Sequence, residues 1–301
     1  MSFVGKIIAP VFARVAYTLL KLVGWKRGTV LANAKYVAGA FPDAVSGAGS
    51  KISPDYNTLL KNLTRHASEL LFRFETFKRL PADFSKYPCC VDGWDFALDE
   101  ASIPVLEKMR SGGIFLTAHY GNYEAMGPWL CRLGIPLVAS YIPVKPKWLN
   151  NILERKIRAV DGRSYSVDAR TPRDFLRILN DEKLFCLLSD QDSRIPSALP
   201  GTFLGRPANV NPLPDFLLKH RPQTPVYICW MEERGASPED ASLKCASLKK
   251  VRVLHAIGVE GPRILEKFNK WLEERIYENP NLWYSFTHRR FYSQSPEIYG
   301  E

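Results

Sequence analysis

The sequence lacks the markers of several function classes. None of its six cysteines forms a CxxC pair, and Cys186 and Cys229 lie in apolar runs where a thiol behaves as a small hydrophobe. With Cys89, Cys90, Cys131 and Cys245 elsewhere, this usage predicts reduced thiols in a cytoplasmic-side environment and no zinc site. There is no G-x-S-x-G elbow, which argues against a serine hydrolase. No zinc finger, RNP-type aromatic motif or basic repeat marks a nucleic-acid binder. Internal repeats and low-complexity linkers are also missing, so nothing divides the body of the chain. At 301 residues, 46% hydrophobic and 24% charged, the chain is an ordered protein long enough to bury its own core.

Acidic residues are absent from Met1 to Pro42, where Lys6, Arg14, Lys21, Lys26, Arg27 and Lys35 punctuate an apolar run. Ile7 to Trp25 approaches the length of a bilayer span, but Arg14 sits in its middle at a cost in hydrocarbon. The reading is therefore a helix lying in the membrane interface, with Tyr17 and Trp25 suited to the headgroup level, ahead of a span or a core helix. No small-residue cleavage site follows, which argues against a removable signal peptide. Residues 1–42 are thus a basic, apolar membrane-associating segment and 43–301 a single domain. The net charge of +10 calls for an anionic partner without choosing among lipid, acidic protein and nucleic acid.

Apolar spacing over 56–77 predicts one amphipathic helix, followed by a loop over 78–90 and a short helix around 103–110 that Gly112 and Gly113 end. Beyond it, strand-like runs at 113–118, 135–142, 183–190, 225–233 and 249–260 alternate with helical patterns at 123–133, 146–160, 172–181 and 262–277. Short, fully apolar strands separated by helices predict an α/β domain, a mostly parallel sheet flanked by helices.

In such sheets active groups gather at the carboxyl ends of strands, and His119 and Asp190 each follow an apolar run directly. His119 and Glu124, five apart in "HYGNYE", would stand about 140° apart on one continuous helix. If Gly121 and Asn122 bend the chain between strand and helix, the carboxylate folds back and orients the imidazole as a general base. The alternative is a helix-start turn whose Glu favours the helix dipole. "SDQDSR" adds Asp190 and Asp192, which suit hydrogen bonding or a salt bridge better than a metal, since no ligand spacing accompanies them. "NPNLWYSFTHRR" concentrates aromatics with His288, Arg289 and Arg290, either a solvated basic turn or a phosphate-binding element.

Taken in order, "LANAKYVAGAFPD", "HYGNYE", "DQD", "FLGRPA" and "NPNLWYSFTHRR", behind a basic apolar amino terminus, resemble the bacterial lipid A biosynthesis acyltransferases. These are the late lauroyl and myristoyl transferases, with relatives that acylate phosphatidylinositol mannosides, in the wider lysophospholipid acyltransferase class. The resemblance covers most of the chain and implies a glycerolipid acyltransferase-like fold. It implies His119 as general base, Glu124 as its partner, and catalytic roles for Arg158, preferred over Arg155, and for Asp190. Arg155, Asp192, Arg289 and Arg290 are the candidate substrate contacts. The family's Tyr-Arg-Pro stands here as Tyr141-Ile142-Pro143, with Lys145 or Lys147 as replacements for the missing arginine. The implied reaction moves an acyl chain from an acyl carrier protein or coenzyme A thioester to a glycolipid hydroxyl, a lipid A precursor first and another glycolipid or a lysophospholipid as the alternative, without metal or other cofactor. It would run at the cytoplasmic face of the inner membrane among anionic lipids. A non-catalytic basic protein that binds membrane or nucleic acid is the alternative from another class, and no nucleic-acid partner is expected.

Overall fold

The computed structural model describes residues 3–39, 52–141, 143, 145–235 and 250–300. Positions 40–43, Ile142, Cys245 and Lys249, which figured in the readings above, lie outside them. The helices are α1 (Phe3–Leu22), α2 (Arg27–Ala38), α3 (Tyr56–Phe72), α4 (Phe74–Lys78), α5 (Ile103–Lys108), α6 (Tyr123–Arg132), α7 (Lys147–Ile152), α8 (Pro172–Asn180), α9 (Leu213–His220) and α10 (Ile264–Glu278). The strands are β1 (Cys89–Val91), β2 (Trp94–Leu98), β3 (Gly113–Thr117), β4 (Leu137–Ser140), β5 (Ala159–Val160), β6 (Arg163–Ser164), β7 (Ser166–Val167), β8 (Leu184–Leu188), β9 (Leu199–Phe203), β10 (Arg206–Val210), β11 (Val226–Gly235) and β12 (Lys250–Val259).

Eight strands form one sheet in the order β1-β2-β12-β11-β3-β8-β4-β7. Neighbours run parallel except at β1/β2 and β11/β12. The central strands are apolar on both faces because both faces are covered. Successive side chains of a strand point to opposite sides, and here they enter two separate cores. Ile114, Leu116, Phe185, Leu187, Val226 and Ile228 pack with α8, α9 and α10. Phe115, Leu184, Cys186, Tyr227, Cys229 and Met231 pack with α6 around Met126, Trp129 and Leu130. A one-residue slip of β3 would exchange these two sets, so its register is strongly specified.

The α/β architecture with a mostly parallel sheet is as the apolar runs predict, and several details differ. The helix expected over 56–77 breaks at Arg73, which leaves helical geometry (φ −128°) and lays its guanidinium over Trp94 at 3.4 Å. The chain restarts as α4 so that Phe77 can pack edge-on against Trp94 and Phe96. The stretch expected as loop before residue 91 ends in β1, which pairs with β2 at the sheet edge. The pattern expected as a helix over 146–160 is α7 followed by a π-type turn, Leu153–Ile157. Cys90 takes part in a disulfide, against the expectation of reduced thiols, whereas Cys89, Cys131, Cys186 and Cys229 are free.

At the amino terminus α1 packs one side on α3, with Ala9 buried and Phe12 edge-on to Phe72 at 5.1 Å. The other side leaves a stripe at helical spacing in solvent: Val11, Val15 (54% exposed), Leu19 (58%) and Leu22 (78%). No single helix among the described residues is long and apolar enough to cross a membrane; α1 from Ile7 and α2 pass that test only as a pair, bent by 79°.

Candidate active site

The site follows from strand register. In the parallel pair β3/β8, Thr117 stands opposite Leu188, and the pairing extends through Ser189 N, which donates to Thr117 O at 3.1 Å. His119 lies two residues beyond Thr117 and Asp190 two beyond Leu188, so both emerge at the carboxyl edge of the sheet side by side. His119 Nδ1 meets Asp190 Oδ1 at 2.8 Å, and the His119 backbone amide donates to Oδ2 at 3.1 Å. The carboxylate that orients the imidazole is therefore Asp190 and not Glu124. The sequence reading fails here because chain proximity favoured Glu124, whereas the adjacency of β3 and β8 is a property of the whole sheet.

Asp190 has a fully buried side chain, and its remaining partners come from the carboxyl-terminal segment. Trp283 Nε1 donates to Oδ2 at 2.9 Å and Ser285 Oγ at 2.6 Å. That segment is stitched to the histidine turn: Tyr284 N donates to His119 O at 2.8 Å, and Gly121 N to Leu282 O at 3.0 Å. Burial alone would raise the Asp190 pKa, but the His119 charge and these hydrogen bonds hold it well below the usual carboxylate range. Burial likewise opposes a charged His119, yet the Asp190 charge and hydrogen bond, with help from Glu124, set its pKa above that of an ordinary histidine. With Nδ1 engaged by the carboxylate, Nε2 is the free nitrogen. It has no hydrogen-bond partner among the described residues, and the side chain is 22% exposed.

Glu124 pairs instead with Arg158, Nη2 to Oε1 at 2.7 Å, at the edge of an apolar pocket lined by Phe115, Met126, Leu137, Tyr165, Cys186 and Leu188. Gly121 does make the bend between strand and helix, at φ +59°, where an added Cβ would stand 3.2 Å from Met231 O. Asn122 begins α6 without a side-chain capping bond, and its amide nitrogen donates to Glu69 Oε2 at 2.7 Å. Glu69 in turn accepts from Arg252 at 3.2 Å, and Glu233 bridges Arg252 to Arg65 and Lys250, a chain of charges that backs the turn. Two wider grooves, one beside β9 and α10 and one near α9, include no residue of this cluster.

The other candidates divide. Arg155 is exposed on the π-type turn, away from the pocket. Lys145 and Lys147 are also exposed. Asp192 is a buried loop anchor that accepts from Ser293 Oγ at 2.8 Å, Ser293 N at 3.2 Å and Arg194 Nε at 3.1 Å. Arg290, expected as a substrate contact on a basic surface, is 1% exposed and donates to Asn209 O at 3.0 Å beneath Phe203; it faces no solvent from which a phosphate could reach it. Arg289 is half-buried over Tyr292 and Tyr299.

Sequence reasoning missed four residues here. Trp283 and Ser285 were legible only as aromatic and polar members of a basic turn, and His288 as its charge. His288 stands at the exposed rim, its ring centroid 6.2 Å from that of His119. His66, on α3, is sealed with both ring nitrogens unpartnered and stacks between Tyr123 (5.0 Å) and Tyr284 (5.7 Å). Asn122 lies beside it but is committed to Glu69, and burial pushes the His66 pKa down to about 4. Among the described residues no three His, Cys, Asp or Glu side chains converge as metal ligands would. No protein-family model matches the chain, and no curated protein matches it.

Proposed function

We propose that this chain is a membrane-associated O-acyltransferase that moves a fatty acyl group from a thioester donor to a hydroxyl of a glycolipid, a lipid A precursor being the leading acceptor. The observation that carries the reading is the Asp190–His119 pair with Nε2 left open at the carboxyl edge of a parallel sheet. A carboxylate on Nδ1 fixes the tautomer that leaves a lone pair on Nε2 and stabilises the imidazolium formed when that nitrogen takes a proton. No protein nucleophile is required if the acceptor hydroxyl attacks the thioester directly.

The reaction closes on these groups. His119 Nε2 removes the hydroxyl proton as oxygen bonds to the thioester carbon and the carbonyl electrons move onto oxygen. Collapse of the oxyanion breaks the carbon–sulfur bond, and the thiolate leaves with the proton carried by His119. Such general-base assistance contributes about 10²–10⁴ in rate, so oxyanion stabilisation and positioning must supply more. Gly121 N is committed to Leu282 O and Arg158 to Glu124, which directs attention to the uncapped first amides of α6 as donors. The apolar pocket behind Glu124 and Arg158, about 70 Å³, has room for one end of an acyl chain and not for its whole length, and the exposed apolar stripe of α1 with its flanking cations suits an anionic membrane surface. Lauroyl transfer from acyl carrier protein or coenzyme A to a lipid A precursor, followed by mass spectrometry, tests the reading. Transfer by the wild type that His119→Ala abolishes supports it, and equal turnover by both sinks it.

A further inference from the structure

We infer that His288 is a second catalytic imidazole of this site, donating a ring N–H to the oxyanion while His119 moves the proton. The inference rests on the acyl-transfer reading above and adds a side chain to it. The two ring centroids lie 6.2 Å apart with planes inclined by 37°, and both side chains reach solvent, His119 in part. Residues 283–287 just before it are buried, whereas His288 lies at the exposed rim with its ring partly covered beside His119, and its side chain has no hydrogen-bond partner among the described residues.

Its backbone, by contrast, is clamped. His288 N donates to Ser285 O at 3.0 Å, and His288 O accepts from Asn33 Nδ2 at 2.7 Å and from Arg290 N at 2.9 Å. Asn33 is fully buried on α2; it also donates to Phe286 O at 2.9 Å and accepts from Tyr299 at Oδ1. An amide buried without partners is costly, and Asn33 has all its partners in the segment that bears His288 and its flanks. A histidine that merely decorated the surface would need no such fixing. Ser285, three residues earlier, is the same residue that holds Asp190, so one short segment locks the orienting carboxylate and presents the second imidazole.

The chemistry suits a neutral ring. Loss of hydration and the neighbouring His119 lower the His288 pKa, with Lys26 adding to them and Asp190 opposing. The neutral form keeps one N–H, a donor aimed at charge that appears only in the transition state. In the step above, His288 gives a hydrogen bond and no proton, so the proton count is unchanged: the hydroxyl proton goes to His119 and then to the thiolate.

The test is the kinetics of lauroyl transfer from lauroyl-acyl carrier protein to a lipid A precursor by His288→Ala, His288→Gln, Asn33→Ala and the Asn33/His288 double variant, with thermal melts to verify folding. A lost oxyanion donor lowers kcat by about 10²-fold with little change in KM, and glutamine restores part of it through its own N–H. Asn33 is a positioning residue, so its loss lowers kcat in the same direction and the double variant is no worse than His288→Ala. Ring-nitrogen NMR supplies a readout independent of turnover: the His288 pKa rises when His119→Gln removes its charge. A folded His288→Ala protein with wild-type kcat, or one altered only in KM, overturns the inference while His119→Ala remains dead. Turnover by His119→Ala overturns the acyl-transfer reading itself.

Discussion

Asp190 accepts from four donors while fully buried, and this saturation is what keeps it ionised next to His119. The two partners' pKa shifts run in opposite directions, as expected of an ion pair whose charged forms stabilise each other. Because the His119 pKa is raised and the proposed base must be neutral, the acyl-transfer reading predicts that kcat/KM falls as pH drops through a value above the ordinary histidine 6.5. Asp190→Asn removes the main stabiliser of the imidazolium. It should lower kcat by about 10²–10⁴ and move the acid limb to lower pH. Glu124→Gln removes the charge that Arg158 pairs with while keeping an acceptor oxygen, at a cost of about 1–3 kcal/mol in stability, and moves the limb less. A pH–rate profile for the two variants separates them; a larger limb shift for Glu124→Gln would restore Glu124 as the orienting partner.

At the scale of elements, the histidine turn depends on a glycine and on a strand pair. Gly121→Ala would force a left-handed residue to carry a Cβ close to Met231 O, at about 1–2 kcal/mol of strain, and should lower both melting temperature and turnover. Equal stability and rate for that variant would show that the bend tolerates other backbones. The apolar runs that become β3, β8, β11 and β12 were legible because strands buried on both faces read as continuous hydrophobic stretches. The separate two-stranded hairpin β9–β10 was not, since Pro200, Gly201 and Pro207 interrupt its pattern and read as loop punctuation. Likewise nothing local to Trp283 and Ser285 signals a hydrogen bond to a carboxylate 93 and 95 residues away. The charge run that ends in Arg290 misled, because exposed charges are the rule and this guanidinium is an exception held by Asn209 O. On α1 the exposed stripe makes its own prediction: Val15→Asp and Leu19→Asp should weaken cosedimentation with phosphatidylglycerol vesicles without changing the melt. Undiminished binding would move the membrane face elsewhere.

For the whole molecule, the His119–Asp190 pair links stability to pH on both sides. The raised histidine contributes stability that is complete below about 6.5 and is lost as pH rises through its folded value. The depressed aspartate contributes stability present above about 3.9 and lost as pH falls through its folded value. Calorimetry of wild type and Asp190→Asn should therefore differ most between those limits, and the difference should shrink as pH falls through the folded Asp190 value or rises through the folded His119 value. The +10 net charge adds a salt dependence: vesicle binding should fall steeply as the Debye length shrinks from about 10 Å at 0.1 M toward 3 Å at 1 M. The central claim, that His119 oriented by Asp190 transfers an acyl group to a glycolipid hydroxyl, is most directly tested by mass spectrometry of a lipid A precursor incubated with lauroyl thioester and purified protein. The account predicts product one lauroyl group heavier with the wild type and none with His119→Ala. Equal product from both proteins, or none from the wild type with either acyl carrier protein or coenzyme A as donor, would contradict it.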